Sequence, residues 1–286
     1  MKKFLVFIFT ILISIIICLL CISYGIKDAC VNTISNSLVK REITSKIILS
    51  IKNNYNDVSY DMLEEIENEI GNNLAINKIT AKYFDEIINS VTLNKKANIP
   101  NTKEELLSLI DENEYILKKH GIEVSDVEKE KVIDEIINKN SINDIYEKVT
   151  IIINKNLSDE QKIVANTYKI IISNNFRIIC YLLIAVLIIL IMAIKKSFYK
   201  FSINLSIALF LSGIIITFVV PILINMISDS ITNKLIGETA SINITKITNL
   251  GYLSFALASL FMLIYILLNK VISSYQNSYI DVDSVI

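Results

Sequence analysis

Histidine occurs once, proline twice, glycine six times and tryptophan not at all in these 286 residues. The single histidine, His120, excludes metal sites built on paired histidines, and any nucleophile–base relay that does not run through that residue. Glycine is too sparse and scattered for a phosphate-cradling loop, and no HExxH pattern is present. Asp57, Ser59 and Asp61 alternate as calcium-loop ligands do, but Met62 stands where such a loop needs glycine. The scarcity of helix breakers sits beside heavy use of Ile, Asn and Lys. That bias is the one AT-rich coding produces, and it points to a low-GC bacterial source.

Another lack is positional. No Asp, Glu, Lys or Arg lies in residues 4 to 24, 178 to 194, 203 to 227 or 250 to 268. Each run is close to or above the roughly 17 to 25 apolar residues that cross a bilayer core. Four transmembrane helices are therefore expected. Ion-coupled transporters usually carry ionisable groups inside the bundle, so proton or sodium coupling is not expected.

What charge there is lies between and beside these runs. Lys2 and Lys3 precede the first, Lys195, Lys196 and Lys200 follow the second, and Lys270 follows the fourth. Basic residues near the membrane stay on the cytoplasmic side. One arrangement satisfies all three clusters: both termini inside, and residues 26 to 176 outside. The predicted organisation is an N-terminal transmembrane helix over 1–25, an extracytoplasmic helical domain over 26–176, three transmembrane helices over 177–270 with an outer loop at 228–249, and a cytoplasmic tail over 271–286. Cleavage of the first run as a signal peptide is the rival reading, with Ser23, Tyr24 and Gly25 as its site. The run of about 19 apolar residues exceeds the 7 to 15 of a signal core.

Residues 26–176 hold 19 Lys and Arg against 25 Asp and Glu. A net negative surface argues against nucleic acid as a partner and against simple attraction to anionic lipid. The apolar residues there recur at helical spacing: Ile66, Ile70 and Leu74; Ile79, Tyr83, Phe84, Ile87, Ile88 and Val91; Val132, Ile133, Ile136 and Ile137; then Ile142, Ile145, Tyr146, Val149, Ile152 and Ile153. Thr102 with Glu105, Ser125 with Glu128, and Ser158 with Gln161 have capping-box spacing. The fold class predicted is all-α, a four-helix transmembrane region with a helical bundle inserted between its first and second helices. Asp85–Asn89 and Asp134–Asn138 both read DEIIN, a match that helical periodicity explains without a duplication. From Ser158 to Ile194 no Pro or Gly intervenes, which predicts a helix running without a break from the domain into the second span. Residues 31 to 52 offer a second such stalk, with breaks at Gly25 and at Asn174–Asn175 as the alternative.

Candidate sites are few. Glu64, Glu65, Glu67 and Glu69, or Asp111, Glu112 and Glu114, would suit two-carboxylate chemistry, yet on amphipathic helices such residues form the solvated face. His120, beside Gly121, reads as a helix C-terminal cation. Cys18 and Cys21 lie within the first apolar run and read as small packing side chains. A disulfide between Cys30 and Cys180 is conceivable. In the membrane region, Gly213, Pro221, Ser254 and Ala258 stand out as packing or hinge positions, because small residues let helices approach closely. No catalytic residue, metal site or cofactor is predicted. The partners expected are the lipid bilayer and a protein of the cell envelope.

The order of one crossing, a large outer domain and three further crossings resembles the plan of the membrane subunits of mechanotransmission-type ABC systems. It implies a separate ATPase partner. Those subunits carry longer segments before the first crossing and between the second and third, where this chain has three and about eight residues. The function read first is a non-enzymatic surface protein that binds or scaffolds an envelope component. Membership of an ABC-type transport or mechanotransmission complex is the alternative.

Overall fold

The structure is a computed structural model that describes residues 1–34, 73–93, 98–119, 123–138, 159–224 and 243–283, with isolated further positions at 43–45, 48–49, 61–62, 64–65, 68–69, 95, 143 and 146. Every regular element among them is a helix: α1 Lys2–Ile34, α2 Leu74–Leu93, α3 Lys103–Lys119, α4 Asp126–Asn138, α5 Asp159–Ile171, α6 Asn174–Lys195, α7 Phe201–Ile214 and α8 Thr245–Asp283. A π-helical turn, Ile215–Val219, continues α7, and that helix runs on to Ile224. The chain divides into two compact units, Met1–Ala29 with Ile170–Ile286, and Cys30–Lys169.

In the first unit, Lys2–Asn32, Asn174–Lys195, Phe201–Ile224 and Thr245–Ile272 are each long and apolar enough to cross a membrane. Their shared core contains Ile13, Ile17 and Cys18 of α1, Ile191 of α6, Leu205, Ala208 and Leu209 of α7, and Ile247 and Ala258 of α8. Much of the apolar surface faces away from it. Ile178, Leu182, Val186 and Ile189 of α6 are 52–62% exposed, the pattern of a helix whose solvent is hydrocarbon rather than water.

In the second unit, α2, α3 and α4 bury one stripe each. Ile76, Ile79 and Tyr83 meet Leu106, Leu109, Ile116, Ile133 and Ile136, joined by Ile43, Met62 and Tyr146. The two DEIIN sequences are both helical but pack differently: Ile136 is buried in the core, while Ile87, at the same place in the other copy, lies against its edge. A shared period accounts for the likeness. Ile66, Ile70, Ile142, Ile145, Val149, Ile152 and Ile153 lie outside the described residues.

Helix boundaries follow local chemistry in some places and long-range chemistry in others. At Ser125 the reciprocal box forms: the Ser125 N–H donates to Glu128 Oε2 at 2.8 Å and the Glu128 N–H to Ser125 Oγ at 3.3 Å. At Thr102 it does not. Glu105 turns instead to the Lys82 ammonium of α2 at 2.6 Å, a charge-assisted bond stronger than a neutral cap. Asn101 Oδ1 then accepts from the Lys103 N–H at 3.1 Å. Ser158 lies outside the described residues, as does the Gln161 side chain.

The expected continuous helix into the second apolar run is corrected. It breaks at Ile172–Ser173, where Ser173 adopts extended backbone and its Oγ accepts from the Phe176 N–H at 3.2 Å, opening α6 as an N-cap. The first helix behaves oppositely and passes through Gly25 without a break. Gly25 is needed there for closeness: a Cβ would collide with the Ile247 side chain and lie 3.3 Å from its backbone.

Candidate functional site

The polar and small residues of the apolar helices gather at three levels. At one end, helix segments that carry three lysine clusters distant in sequence are tied together. The Lys195 Nζ donates to Asn204 Oδ1. Asn204 Nδ2 donates to Thr10 Oγ1 at 2.8 Å, and Thr10 Oγ1 to the Val6 carbonyl at 2.8 Å. Asn204 and Thr10 are both buried, so this relay ties the start of α1 to the end of α6 and the start of α7. Tyr199 OH hydrogen-bonds Asn269 at 3.3 Å and its ring stacks on Tyr265, which brings Lys270 of α8 to the same end.

Halfway along, α7 and α8 approach closely. A Cβ on Gly213 would stand 2.9 Å from the Phe255 ring, and one on Gly251 would meet Thr217 and Ile216. Ser206 Oγ donates to the Ala258 carbonyl at 2.7 Å, while Ser254 Oγ donates to its own helix at the Leu250 carbonyl, 3.0 Å away. Gly213 and Ala258 are thereby brought to the α7–α8 contact, while the Ser254 hydroxyl meets the Cys21 thiol of α1. Pro221 lies just past the π-helical turn, in which the Val220 N–H reaches back five residues to Ile215. Proline has no N–H for the carbonyl one turn earlier, and widening that turn re-pairs neighbouring groups inside an apolar medium. Among the described residues the Thr217 hydroxyl is shielded from solvent and has no hydrogen-bond partner.

At the opposite end, Arg177 donates from Nε to Ser23 Oγ at 2.9 Å and from Nη2 to the Ser23 carbonyl at 2.8 Å. Its guanidinium lies 4.1 Å over the Tyr24 ring, and Tyr24 OH meets Tyr181 OH at 3.2 Å. Lys246 pairs with Asp28. Sequence spacing missed Arg177: it borders an apolar run, and its partners are 154 positions away. The four cysteines are free of disulfides, so the Cys30–Cys180 bridge does not form, and Cys18 Sγ lies 3.8 Å from the Ser212 carbonyl in the packed interior.

The acidic candidates of the second unit separate. Asp111 and Glu114 hold the buried Lys129 of α4 at 2.7 and 3.0 Å. Glu112 accepts from Asn73 and from Ser108, both at 2.8 Å. The Lys129 ammonium, then Lys118, holds the Glu114 carboxyl below the usual range, and the Asn73 amide and Ser108 hydroxyl do the same for Glu112. Glu64, Glu65 and Glu69 line an open groove with Asp61 and Asn68, where Glu65 pairs with Lys119 at 2.7 Å. Beside it, desolvation and then the charges of Glu69 and Glu65 push the Tyr115 phenol up. Among the described residues no three His, Cys, Asp or Glu side chains converge as metal ligands would. Asp57, Ser59, Glu67, His120 and Gly121 lie outside the described residues.

Among the described residues this geometry defines an all-helical protein with four helices long and apolar enough to span a membrane and a separately packed helical unit. No protein family matches the chain, and neither a curated protein nor a solved structure is similar to it.

Proposed function

We propose that the chain is a multi-pass cell-membrane protein, with the lysine-rich end of its four apolar helices in the cytoplasm and unit 30–169 on the outer side. There the unit binds or scaffolds another envelope component without catalysing a reaction. One observation carries the reading: six lysines from three sequence clusters collect at one end of the apolar helices, which the positive-inside rule assigns to the cytoplasm. The other end, where α6 begins, has the mixed charges of Asp28, Lys246 and Arg177. Inside the second unit, Asp111, Glu112 and Glu114 are engaged with Lys129, Asn73 and Ser108, which supports a structural rather than a chemical use for them.

Photocrosslinking residues at Tyr115 and Val127, 54% and 77% exposed on α3 and α4, test the binding reading in intact cells. A recurrent adduct with one envelope component is expected. Absence of any adduct from both positions, with the protein folded and in the membrane, overturns it. A second reading, the membrane subunit of an ABC-type transport or mechanotransmission complex, draws on the π-helical turn before Pro221, since such turns are frequent at functional sites. Its mark is an ATPase that purifies with the full chain.

A further inference from the structure

Among the described residues no carboxylate lies within 4 Å of Lys2, Lys3, Lys195, Lys196 or Lys200. Residues 178 to 228 contain no acid at all. The connection between α6 and α7 concentrates three of these charges in six residues, Lys195-Lys196-Ser197-Phe198-Tyr199-Lys200. Lys196 takes the left-handed conformation with φ 49°, and its N–H closes α6 on the Ala193 and Met192 carbonyls. Lys195 is anchored by Asn204, and its Nζ lies 3.4 Å from the Lys200 carbonyl, so the loop folds back on itself. Lys196 and Lys200 remain exposed. Tyr199 is buried against α8 while Phe198, next to it, is 68% exposed. Tyr is enriched at headgroup level, where its ring meets the apolar layer and its hydroxyl the polar one. No side chain caps α7 at Lys200; the Ser202 N–H bonds the Tyr199 carbonyl at 3.1 Å, and the positive end of this 14-residue helix lies beside the same loop.

We infer that this loop binds the phosphate of an anionic phospholipid, with Lys196 and Lys200 as its cationic contacts, the start of α7 as a dipolar one, and Phe198 lying along the acyl chains. The inference rests on the membrane-spanning reading above. A lipid is favoured over a free anion because the cations border exposed apolar surface at Phe198 and along α6, where only an amphiphile satisfies both.

The test uses the full chain in phosphatidylcholine nanodiscs, with its thermal midpoint followed as phosphatidylglycerol replaces part of the lipid. Inorganic phosphate added to the phosphatidylcholine discs is the parallel arm. A saturable rise with phosphatidylglycerol, and none with phosphate, is expected. Lys196→Gln with Lys200→Gln should weaken the apparent affinity about 25-fold, at about fivefold for each lysine near a charged surface. Lys246→Gln, at the opposite end, should leave it unchanged. Equal response of the double variant and the natural chain, or an equal rise with phosphate, overturns the lipid site and leaves the membrane reading standing. A chain that folds but does not enter nanodiscs overturns both.

Discussion

The two units solve the same problem, helix against helix, with opposite materials. In unit 30–169 the contacts are Ile, Leu and Met side chains, rimmed by charged pairs such as Lys82–Glu105 and Lys129 with Asp111 and Glu114. Between α7 and α8 they are Gly213, Gly251, Ser206 and Ala258, with hydroxyls donating to backbone carbonyls. Water drives the first kind of packing by expelling apolar surface. Lipid gives no such drive, so the second depends on close approach and buried hydrogen bonds. The outer surfaces differ accordingly: α6 exposes Ile and Leu along its length, whereas α3 exposes Asp111, Glu112, Lys118 and Lys119.

The largest effect should come from breaking the water-driven core alone. Ile136→Asp places an unpaired carboxylate at a site 1% exposed, a change costing several kcal/mol. Limited proteolysis of the full chain should then cut within 30–169 while α6 to α8 stay intact; equal loss of both units would deny their independence. Gly213→Leu attacks the other material. It drives a side chain into the Phe255 ring and should cost about 1–3 kcal/mol, read as a lower melting midpoint in detergent with the proteolysis of 30–169 unchanged.

A smaller effect separates the units by pH. The Glu112 and Glu114 carboxyls are held below their ordinary range by Asn73 and Lys129. Groups with a depressed folded pKa stabilise above the unfolded value, about 4.3 for Glu, and lose that contribution as pH falls through the folded one. The helical signal of unit 30–169 should therefore weaken below about pH 4.3, and Glu114→Gln should flatten that loss. An acid profile unchanged by the substitution contradicts the role given to Lys129. Smallest of all is His120→Gln, expected to cost at most a fraction of the 0.3–1 kcal/mol of a helix-end charge. Loss of the cellular phenotype with normal expression and helicity would reverse the non-enzymatic reading.

The four apolar helices and the buried stripes of α2 and α4 were legible in sequence because each is a local period. The Ser125–Glu128 box was legible for the same reason. Where the reading failed, a distant partner usually decided: Glu105 abandons Thr102 for Lys82 across an interface. The break before α6 is the local exception, since Ser173 accepts from the Phe176 N–H next to the Asn174–Asn175 alternative, and neither Pro nor Gly marks it. Gly25 looked like a break and is a contact, since only the position of Ile247 shows why a side chain is not tolerated there. Gly213, Ser254 and Ala258 could be singled out by size, but that Gly213 and Ala258 meet between α7 and α8 while Ser254 meets Cys21 of α1 depends on a register no local pattern encodes. Arg177 escaped altogether.

The most direct test of the account is the side of the membrane on which each region lies. Single cysteines at Asn98 and at Asn277, in a chain with Cys18, Cys21, Cys30 and Cys180 replaced, are treated on intact cells with a membrane-impermeant thiol reagent. Asn98→Cys should label and Asn277→Cys only after the membrane is opened. Labelling of Asn277→Cys from outside, or protection of Asn98→Cys, would contradict the arrangement.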